Sequence, residues 1–135
     1  MLDVDHFKRI NDTWGHAAGD AALREIAQRV ESQVRASDVA ARFGGEEFVV
    51  LLPSTDAAAA SRLAERIRRA VSAEPVELPN GETTTITASI GIAEVSPKPG
   101  DKDLKTLGDS LIARADVALY AAKSAGRDRV VVEAA

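Results

Sequence analysis

The chain has 135 residues, of which 45% are hydrophobic and 28% charged, a composition that fits one globular domain with a single core. It has no cysteine, which excludes disulfides and thiolate chemistry and is compatible with a reducing cytosol. Its net charge of −4 argues against broad, sequence-independent binding to nucleic acid, and no apolar run approaches the ~20 residues needed to cross a bilayer.

The chain opens on a short apolar run that is interrupted by acidic residues. Residues 1–5 predict the end of a buried strand, and because aspartate is disfavoured inside strands, Asp3 and Asp5 point to a site at the strand end. Residues 11–20 are polar and predict a turn. An amphipathic helix then follows and is expected to end near residues 37–38. Its buried positions are predicted to be Leu23, Ile26, Ala27, Val30 and Val34.

Residues 39–52 predict a β-hairpin, because two apolar-rich runs are joined by Gly44 and Gly45, and glycine adopts the positive φ of a tight turn at little cost. Glu46 and Glu47 lie at the mouth of this turn. One interpretation is a polar hairpin tip in water. The other is a metal-binding carboxylate beside a bare, glycine-floored surface. The four aromatic residues nearby are expected in the core: Phe7, Trp14, Phe43 and Phe48.

The second half of the chain predicts three further strands and two helices. Residues 54–56 provide N-cap chemistry for a helix, and Asn80-Gly81 is a strong hairpin signal. Residues 84–92 alternate like one half-buried strand, residues 107–125 predict a helix that Gly126 ends, and residues 130–132 predict a closing strand. The order β-α-β-β-α-(β)-β-α-β predicts an α+β fold with helices on a mixed or antiparallel sheet.

Three motifs in this order closely resemble the GGDEF domain of diguanylate cyclases. They are Asp-Val-Asp-His-Phe-Lys with Asn-Asp and Gly-Asp in residues 3–20, Arg-Phe-Gly-Gly-Glu-Glu-Phe in residues 42–48, and Ala-Asp-x-Ala-Leu-Tyr-x-Ala-Lys-x-x-Gly-Arg in residues 115–127. The resemblance spans nearly the whole chain. It implies a ferredoxin-like fold, similar to the palm of nucleotide cyclases, with a mostly antiparallel central sheet flanked by helices.

The resemblance implies that two GTP molecules condense to cyclic di-GMP and release pyrophosphate. Such phosphoryl transfer depends on positioning and on neutralising charge, for which Mg²⁺ or Mn²⁺ is the implied cofactor. By this resemblance, Asp3, the Val4 carbonyl and Glu46 are the metal ligands. Glu47 is either a ligand of a second metal ion or the group that helps to deprotonate the attacking hydroxyl.

Further roles follow from the resemblance, each beside a simpler alternative. Asn11 and Asp20 correspond to residues that read the guanine edge, although turn capping and helix capping are their alternatives. The glycine floor receives the substrate. Three long cations match positions that grip phosphates, with surface solvation as the alternative: Lys8, Lys123 and Arg127. His6 and His16 are expected to be structural.

A second site is implied by the Arg-x-x-Asp pattern of Arg35 and Asp38, which resembles the inhibitory product site of many such cyclases. On its own the pattern is a weak signal, because a helix-end ion pair produces it too. Arg62 and Arg66, one turn apart on a predicted helix, suit the same product site, since guanidinium groups pair with phosphates and stack on purines. A solvated helix face is the alternative.

The resemblance also implies features beyond residues 1–135. Domains of this family begin with a helix and a fuller first strand, so we expect this chain to be N-terminally incomplete. The resemblance implies an upstream sensory or receiver domain and a homodimer of half-sites. It also implies a cytoplasmic location for this domain, whether or not a preceding segment anchors the full-length protein to a membrane. No nucleic-acid or membrane contact is expected of the domain itself. The alternative function is a catalytically impaired module that only binds cyclic di-GMP.

Overall fold

The first strand, β1 (Leu2–Val4), lies in the middle of a five-stranded sheet in the computed structural model, which describes residues 1–134. Its two neighbours are β3 (Glu47–Leu51) and β6 (Ala88–Ile92), both antiparallel to it. The hairpin partner β2 (Val39–Arg42) and the parallel strand β7 (Val130–Val132) form the two edges. A separate two-stranded hairpin consists of β4 (Val76–Glu77) and β5 (Thr83–Thr84).

Four helices cover the two faces of the sheet. One face is covered by α1 (Phe7–Trp14), α2 (His16–Glu31) and α3 (Ala57–Ser72), whose apolar residues share the main core with Leu2 and Phe48. The opposite face is covered by α4 (Leu104–Ser124), whose Leu119 forms a second, smaller cluster with Met1. The predicted α+β fold with a mostly antiparallel sheet flanked by helices is confirmed.

The packing of α4 on the sheet depends on a single glycine. A Cβ atom on Gly91 would lie 2.1 Å from the backbone nitrogen of Leu119 and 2.3 Å from the carbonyl oxygen of Ala115. No side chain fits between two backbones at that separation. Gly91 therefore allows α4 to lie directly on β6, which brings the C-terminal end of α4 over the end of β1.

Three predicted boundaries are wrong. Residues 11–20 were predicted as a turn, but they belong to α1 and α2, which are separated only at Gly15 with φ 89°. The helix α2 ends at Glu31 and not near residue 38. The last helix begins at Leu104, because Asp103 caps it by accepting from the Thr106 amide at 2.9 Å.

Residues 84–92 do not form one half-buried strand. The run breaks between β5 and β6, and every residue of β6 is buried. The physical reason is that β6 lies between β1 and β7 and has α3 on one face and α4 on the other, so neither face meets water.

The hairpin at Gly44 and Gly45 forms as predicted, but the reason given for its glycines is wrong. Neither glycine has a positive φ, and four residues separate β2 from β3. The expectation that Phe43 is in the core is wrong as well, since Phe43 lies in this loop and is 51% exposed. The predicted N-cap Asp56 is confirmed by its bond from the Ala59 amide at 2.7 Å.

Candidate active site and product pocket

Acidic residues from β1 and from the β2–β3 hairpin lie close together at the end of β1. Asp3 is paired with Glu47 across the β1–β3 ladder, and the Val4 amide donates to the Glu46 carbonyl at 3.1 Å. Asp3 is only 4% exposed, and Glu46 is half-buried. The structure thus brings together the three residues predicted as metal ligands: Asp3, Val4 and Glu46.

The electrostatics of these carboxylates favour a cation. Burial raises the pKa of Asp3, while the ammonium group of Lys123, 2.8 Å from its Oδ2 atom, acts in the opposite direction. Burial also raises the pKa of Glu46, and the negative charge of Asp3 raises it further. Two half-desolvated carboxylates that repel each other gain stability from a divalent ion between them.

The cationic residues near this site come from the end of α4. Lys123 contacts Asp3 directly, and Arg127 is close enough for its charge to oppose the rise in the pKa of Asp3. Lys8 lies exposed on α1. Lys123 and Arg127 are therefore placed together with the carboxylates, whereas for Lys8 the structure gives only its exposure.

The glycine loop is held by an arginine that the sequence reasoning left without a role. The Arg42 Nε atom donates to the Gly44 carbonyl at 3.1 Å, and its Nη2 atom donates to the Gly45 carbonyl at 2.7 Å. The Phe43 amide closes the loop by donating to the Glu47 carbonyl at 2.8 Å. No local sequence signal predicts this role, because it depends on the path that the loop takes back to Arg42.

Asp5 is a second residue whose role the sequence did not reveal. Its carboxylate is 5% exposed and accepts from Ser89 Oγ at 2.7 Å, from Thr87 Oγ1 at 2.8 Å and from the Asp128 amide at 3.0 Å. With three donors satisfied, Asp5 joins β1, β6 and the turn after α4. It acts as a structural link beside the metal-ligand candidates.

A groove of about 500 Å³ lies between α2 and the hairpin β2–β3. Asp20 and Arg42 line it, and Phe48 contributes an apolar wall. Asn11, on α1, does not line the groove but lies against Gly19, next to Asp20, where a Cβ atom would come within 1.9 Å of its Oδ1 atom. That buried Oδ1 atom has no hydrogen-bond partner in the described chain.

The four residues predicted for the product site line one small pocket of about 90 Å³. Arg35 and Asp38 form a closed loop in which the Arg35 amide donates to Asp38 Oδ2 at 2.8 Å and the Asp38 amide donates to the Arg35 carbonyl at 3.0 Å. Arg62 and Arg66 approach from α3. Three arginines and one aspartate thus line the same pocket, and the Arg66 Nη2 atom also donates to the Gln33 carbonyl at 2.9 Å.

Among residues 1–134, no group of three or more His, Asp or Glu side chains is arranged to hold a metal ion. Among the described helices, none combines the length and the apolar character that spanning a membrane requires.

Residues 1–129 match the family described as diguanylate cyclase, GGDEF domain. The chain belongs to this GGDEF family. Its relatives include the response regulator PleD of Caulobacter vibrioides, 48% identical over 136 residues, which covers 100% of the chain and 29% of PleD. Diguanylate cyclase A of Treponema denticola is 46% identical over 132 residues, covering 98% of the chain and 34% of that protein. The chain thus spans about a third or less of the length of these relatives.

Solved structures agree with the family assignment. The GGDEF domain of DgcB from Caulobacter crescentus, in complex with c-di-GMP, superposes with a TM-score of 0.85 at 41% identity and covers 97% of this chain and 74% of that one. The active GGEEF domain of a diguanylate cyclase from Vibrio cholerae gives a TM-score of 0.81 at 34% identity, covering 99% and 80%. The Gly-Gly-Glu-Glu-Phe form of the motif therefore occurs in a structure described as active.

Proposed function

We propose that this GGDEF domain is a diguanylate cyclase that condenses two GTP molecules into cyclic di-GMP with the release of two pyrophosphates. The observation that carries the proposal is the meeting of Asp3 and Glu46 at the end of β1, with Lys123 bonded to Asp3 at 2.8 Å. Oxygen donors and a cation at one point, beside a loop of two glycines, suit a triphosphate that arrives with a metal ion.

Mg²⁺ or Mn²⁺ is the proposed cofactor. Two carboxylates with raised pKa values and a neighbouring backbone carbonyl form a hard-oxygen donor set, which fits such an ion. Asp3, the Val4 carbonyl and Glu46 would hold it. When bound, the ion offsets the negative charge that develops on the phosphoryl group. Lys123, which contacts Asp3 in this structure, would be available to bind phosphate oxygens if an ion were held by Asp3.

The same reasoning assigns the substrate-binding residues. Asp20, at the mouth of the groove, accepts from the N1–H and the exocyclic amine of guanine, which adenine cannot supply in the same pattern. Asn11 has an unpartnered amide oxygen beside Gly19 and completes recognition of the base. Lys123, Arg127 and the exposed Lys8 bind phosphate oxygens.

Gly44 and Gly45 leave room for the backbone to approach the substrate, because neither residue carries a side chain. Glu47 lies across from Asp3 in the β1–β3 ladder and is half-buried. It either binds a second metal ion or accepts the proton of the attacking hydroxyl. Arg42 keeps the loop in place through its two carbonyl bonds.

The reaction requires two chains. Each domain holds one GTP, and the 3′-hydroxyl of one GTP attacks the α-phosphorus of the other, so that a phosphodiester bond forms and pyrophosphate leaves. The second half-reaction repeats this in the opposite direction. Two domains must therefore face each other as a homodimer, and an upstream sensory or receiver domain in the full protein would control their approach. PleD, described as a response regulator, is a relative of this kind. Such a protein would present this domain to the cytoplasm.

Product inhibition is proposed at the pocket of Arg35, Asp38, Arg62 and Arg66. The pocket gathers three guanidinium groups, which bind phosphates bidentately and stack on purine bases. The DgcB GGDEF domain was solved in complex with c-di-GMP, which supports a cyclic dinucleotide as the occupant. The alternative function, a module that binds cyclic di-GMP without turnover, rests on this preformed pocket alone.

The two functions are separated by incubating the protein with GTP and Mg²⁺ and measuring both the cyclic di-GMP formed and the cyclic di-GMP bound. Turnover that Glu46→Ala abolishes supports the cyclase. Binding without turnover that Arg35→Ala abolishes supports the binding module. The absence of both turnover and binding would contradict both functions.

A further inference from the structure

The turn after α4 has a strained backbone. Arg127 and Asp128 are consecutive, neither is glycine, and their φ angles are 64° and 45°. The left-handed region is unfavourable for an L-residue, although aspartate tolerates it better than arginine does. A turn with two such residues persists only where surrounding contacts hold it.

One of these contacts comes from β1. The Asp128 amide donates to Asp5 Oδ2 at 3.0 Å, and Asp5 is itself fixed by Ser89 at 2.7 Å and Thr87 at 2.8 Å. Asp5 lies two residues after Asp3 on the same strand end. The strained turn is therefore fastened to the piece of backbone that carries the proposed metal ligand.

The second contact comes from α3. The Arg68 Nη1 atom lies 2.8 Å from Asp128 Oδ1, and its Nε and Nη2 atoms bond to Glu65 Oε2 at 3.1 and 3.0 Å. The Arg68 side chain is 20% exposed, so Glu65 and the surrounding packing restrict its movement. Arg68 thus holds the side chain of Asp128, whereas Asp5 holds its backbone amide.

We propose that Arg68 and Asp128 are positioning residues that lock the turn so that Arg127 is presented to the triphosphate of GTP. The inference rests on the proposed cyclase function, in which Arg127 grips phosphate. Arg127 itself is exposed, and its backbone amide is tied to the Ala122 carbonyl at 3.0 Å. Its guanidinium direction is therefore set by the backbone of the turn and not by packing of its own side chain.

A purely structural ion pair between α3 and the turn is the alternative. Such a pair would stabilise the fold without distinguishing one nucleotide from another. If Arg68 and Asp128 position Arg127, substituting them lowers the affinity for ligands with a triphosphate. The affinity for ligands that lack the β- and γ-phosphates does not change, and the effect disappears when Arg127 is absent. The two accounts therefore differ in nucleotide selectivity and in the additivity of substitutions.

The test is calorimetric titration of the protein with a GTP analogue that has a methylene bridge between the α- and β-phosphates, and with GMP, both with Mg²⁺. Arg68→Met keeps the aliphatic stem and removes the charge. It should lower the affinity for the analogue about five- to tenfold, less than the loss of a whole charge-assisted hydrogen bond because Arg127 keeps its charge, and leave the affinity for GMP unchanged. Arg69→Met is the matched control, because Arg69 is 77% exposed and lies 3.9 Å from Glu65.

The double variant provides the decisive comparison. The double variant Arg68→Met with Arg127→Ala should have the same affinity for the analogue as Arg127→Ala alone. Where Arg68→Met does not fold, Asp128→Asn replaces it, since asparagine tolerates the left-handed backbone and keeps the amide bond to Asp5 while it removes the charge.

Equal weakening of the analogue and of GMP, or additive losses from the two arginines, would overturn the inference and leave the cyclase function intact. The same holds if Arg127→Ala binds the analogue normally. A wild-type protein that binds neither nucleotide would instead contradict the proposed function.

Discussion

The two proposed nucleotide sites of this domain are built in opposite ways. The active site collects residues far apart in sequence, from β1, the hairpin loop and the end of α4, and it places a 4% exposed Asp3 at its centre. The product pocket is assembled from a short loop with Arg35 and from one exposed face of α3. Buried carboxylate charge characterises the first site, whereas exposed arginines characterise the second.

This difference predicts different consequences of substitution. In the active site, charge is desolvated, so removing a carboxylate changes chemistry, metal affinity and stability together. In the product pocket, the guanidinium groups are near water, so removing one changes ligand binding and little else.

Glu46→Gln should lower the rate of cyclic di-GMP formation by at least about 10²- to 10³-fold, the usual cost of removing one group that stabilises transition-state charge. The physical reason is that the amide keeps the shape of the side chain but loses the negative charge for the metal ion. Product formation at saturating GTP measures the effect. Glu82→Gln, at an exposed carboxylate of the β4–β5 hairpin, is the matched control and should keep the wild-type rate.

Retention of more than a tenth of the wild-type rate by Glu46→Gln would contradict the assignment of that residue. A loss of the same size in the Glu82→Gln control would show that the assay reports general damage to the fold.

Arg35→Ala should weaken cyclic di-GMP binding about 30-fold, equivalent to about 2 kcal/mol for a lost charge-assisted bond, and leave the initial rate of turnover unchanged. Calorimetric titration with cyclic di-GMP measures the affinity. Arg69→Ala removes an equally exposed cation from α3 outside the pocket and should bind normally. Loss of binding in both variants would point to a general charge effect and not to a pocket.

Gly19→Ala should raise the KM for GTP about tenfold, since one displaced polar contact is worth about 1.4 kcal/mol. The new Cβ atom would come within 1.9 Å of Asn11 Oδ1, and the flexible amide has to move away. Affinity for cyclic di-GMP at the product pocket should not change. Gly108→Ala, where a Cβ meets nothing within 4 Å, is the matched control. An unchanged KM would show that Asn11 does not take part in guanine recognition.

The smallest expected effect concerns stability and pH. The pKa of Glu46 is raised in the folded state, mainly by burial, so its protonated form is favoured there. The corresponding stability is present below the ordinary pKa of 4.5 and is lost as the pH rises through the folded pKa. Without divalent ions, Glu46→Gln should therefore be more stable than the wild type at pH 7, by at most about 1 kcal/mol because partial exposure screens the repulsion.

Urea unfolding at pH 7 and at pH 4 measures this difference, which should shrink at the lower pH. A variant less stable than the wild type at pH 7 would contradict the view that this carboxylate is strained without its ion.

The sequence predicted elements of the fold well where the signal was local to a few neighbouring residues. The amphipathic period of α2, the Asp56 cap and the Asn80-Gly81 turn are local signals, and each appears in the structure. The glycine argument failed at Gly44 and Gly45, because a longer loop needs no positive φ. The strand through residues 84–92 was misjudged because burial on both faces of β6 depends on helices elsewhere in the chain.

The roles of Arg42, Asp5 and Arg68 could not be predicted from local pattern. Each depends on a partner brought near by the fold: the carbonyls of the glycine loop, the amide of Asp128, or the side chain of Asp128. Arg42 is close to its partners in sequence, but Asp5 and Arg68 lie 123 and 60 residues from theirs. Only the sheet order and the placement of α3 and α4 bring these groups together.

The central claim is that Asp3 and Glu46 hold one divalent ion together with GTP, and electron paramagnetic resonance of Mn²⁺ tests it most directly. With the methylene-bridged GTP analogue present, the wild-type protein should bind Mn²⁺ at the active site. Asp3→Asn and Glu46→Gln should each lose that signal, while Glu82→Gln keeps it. Undiminished Mn²⁺ binding in both Asp3→Asn and Glu46→Gln would contradict the account.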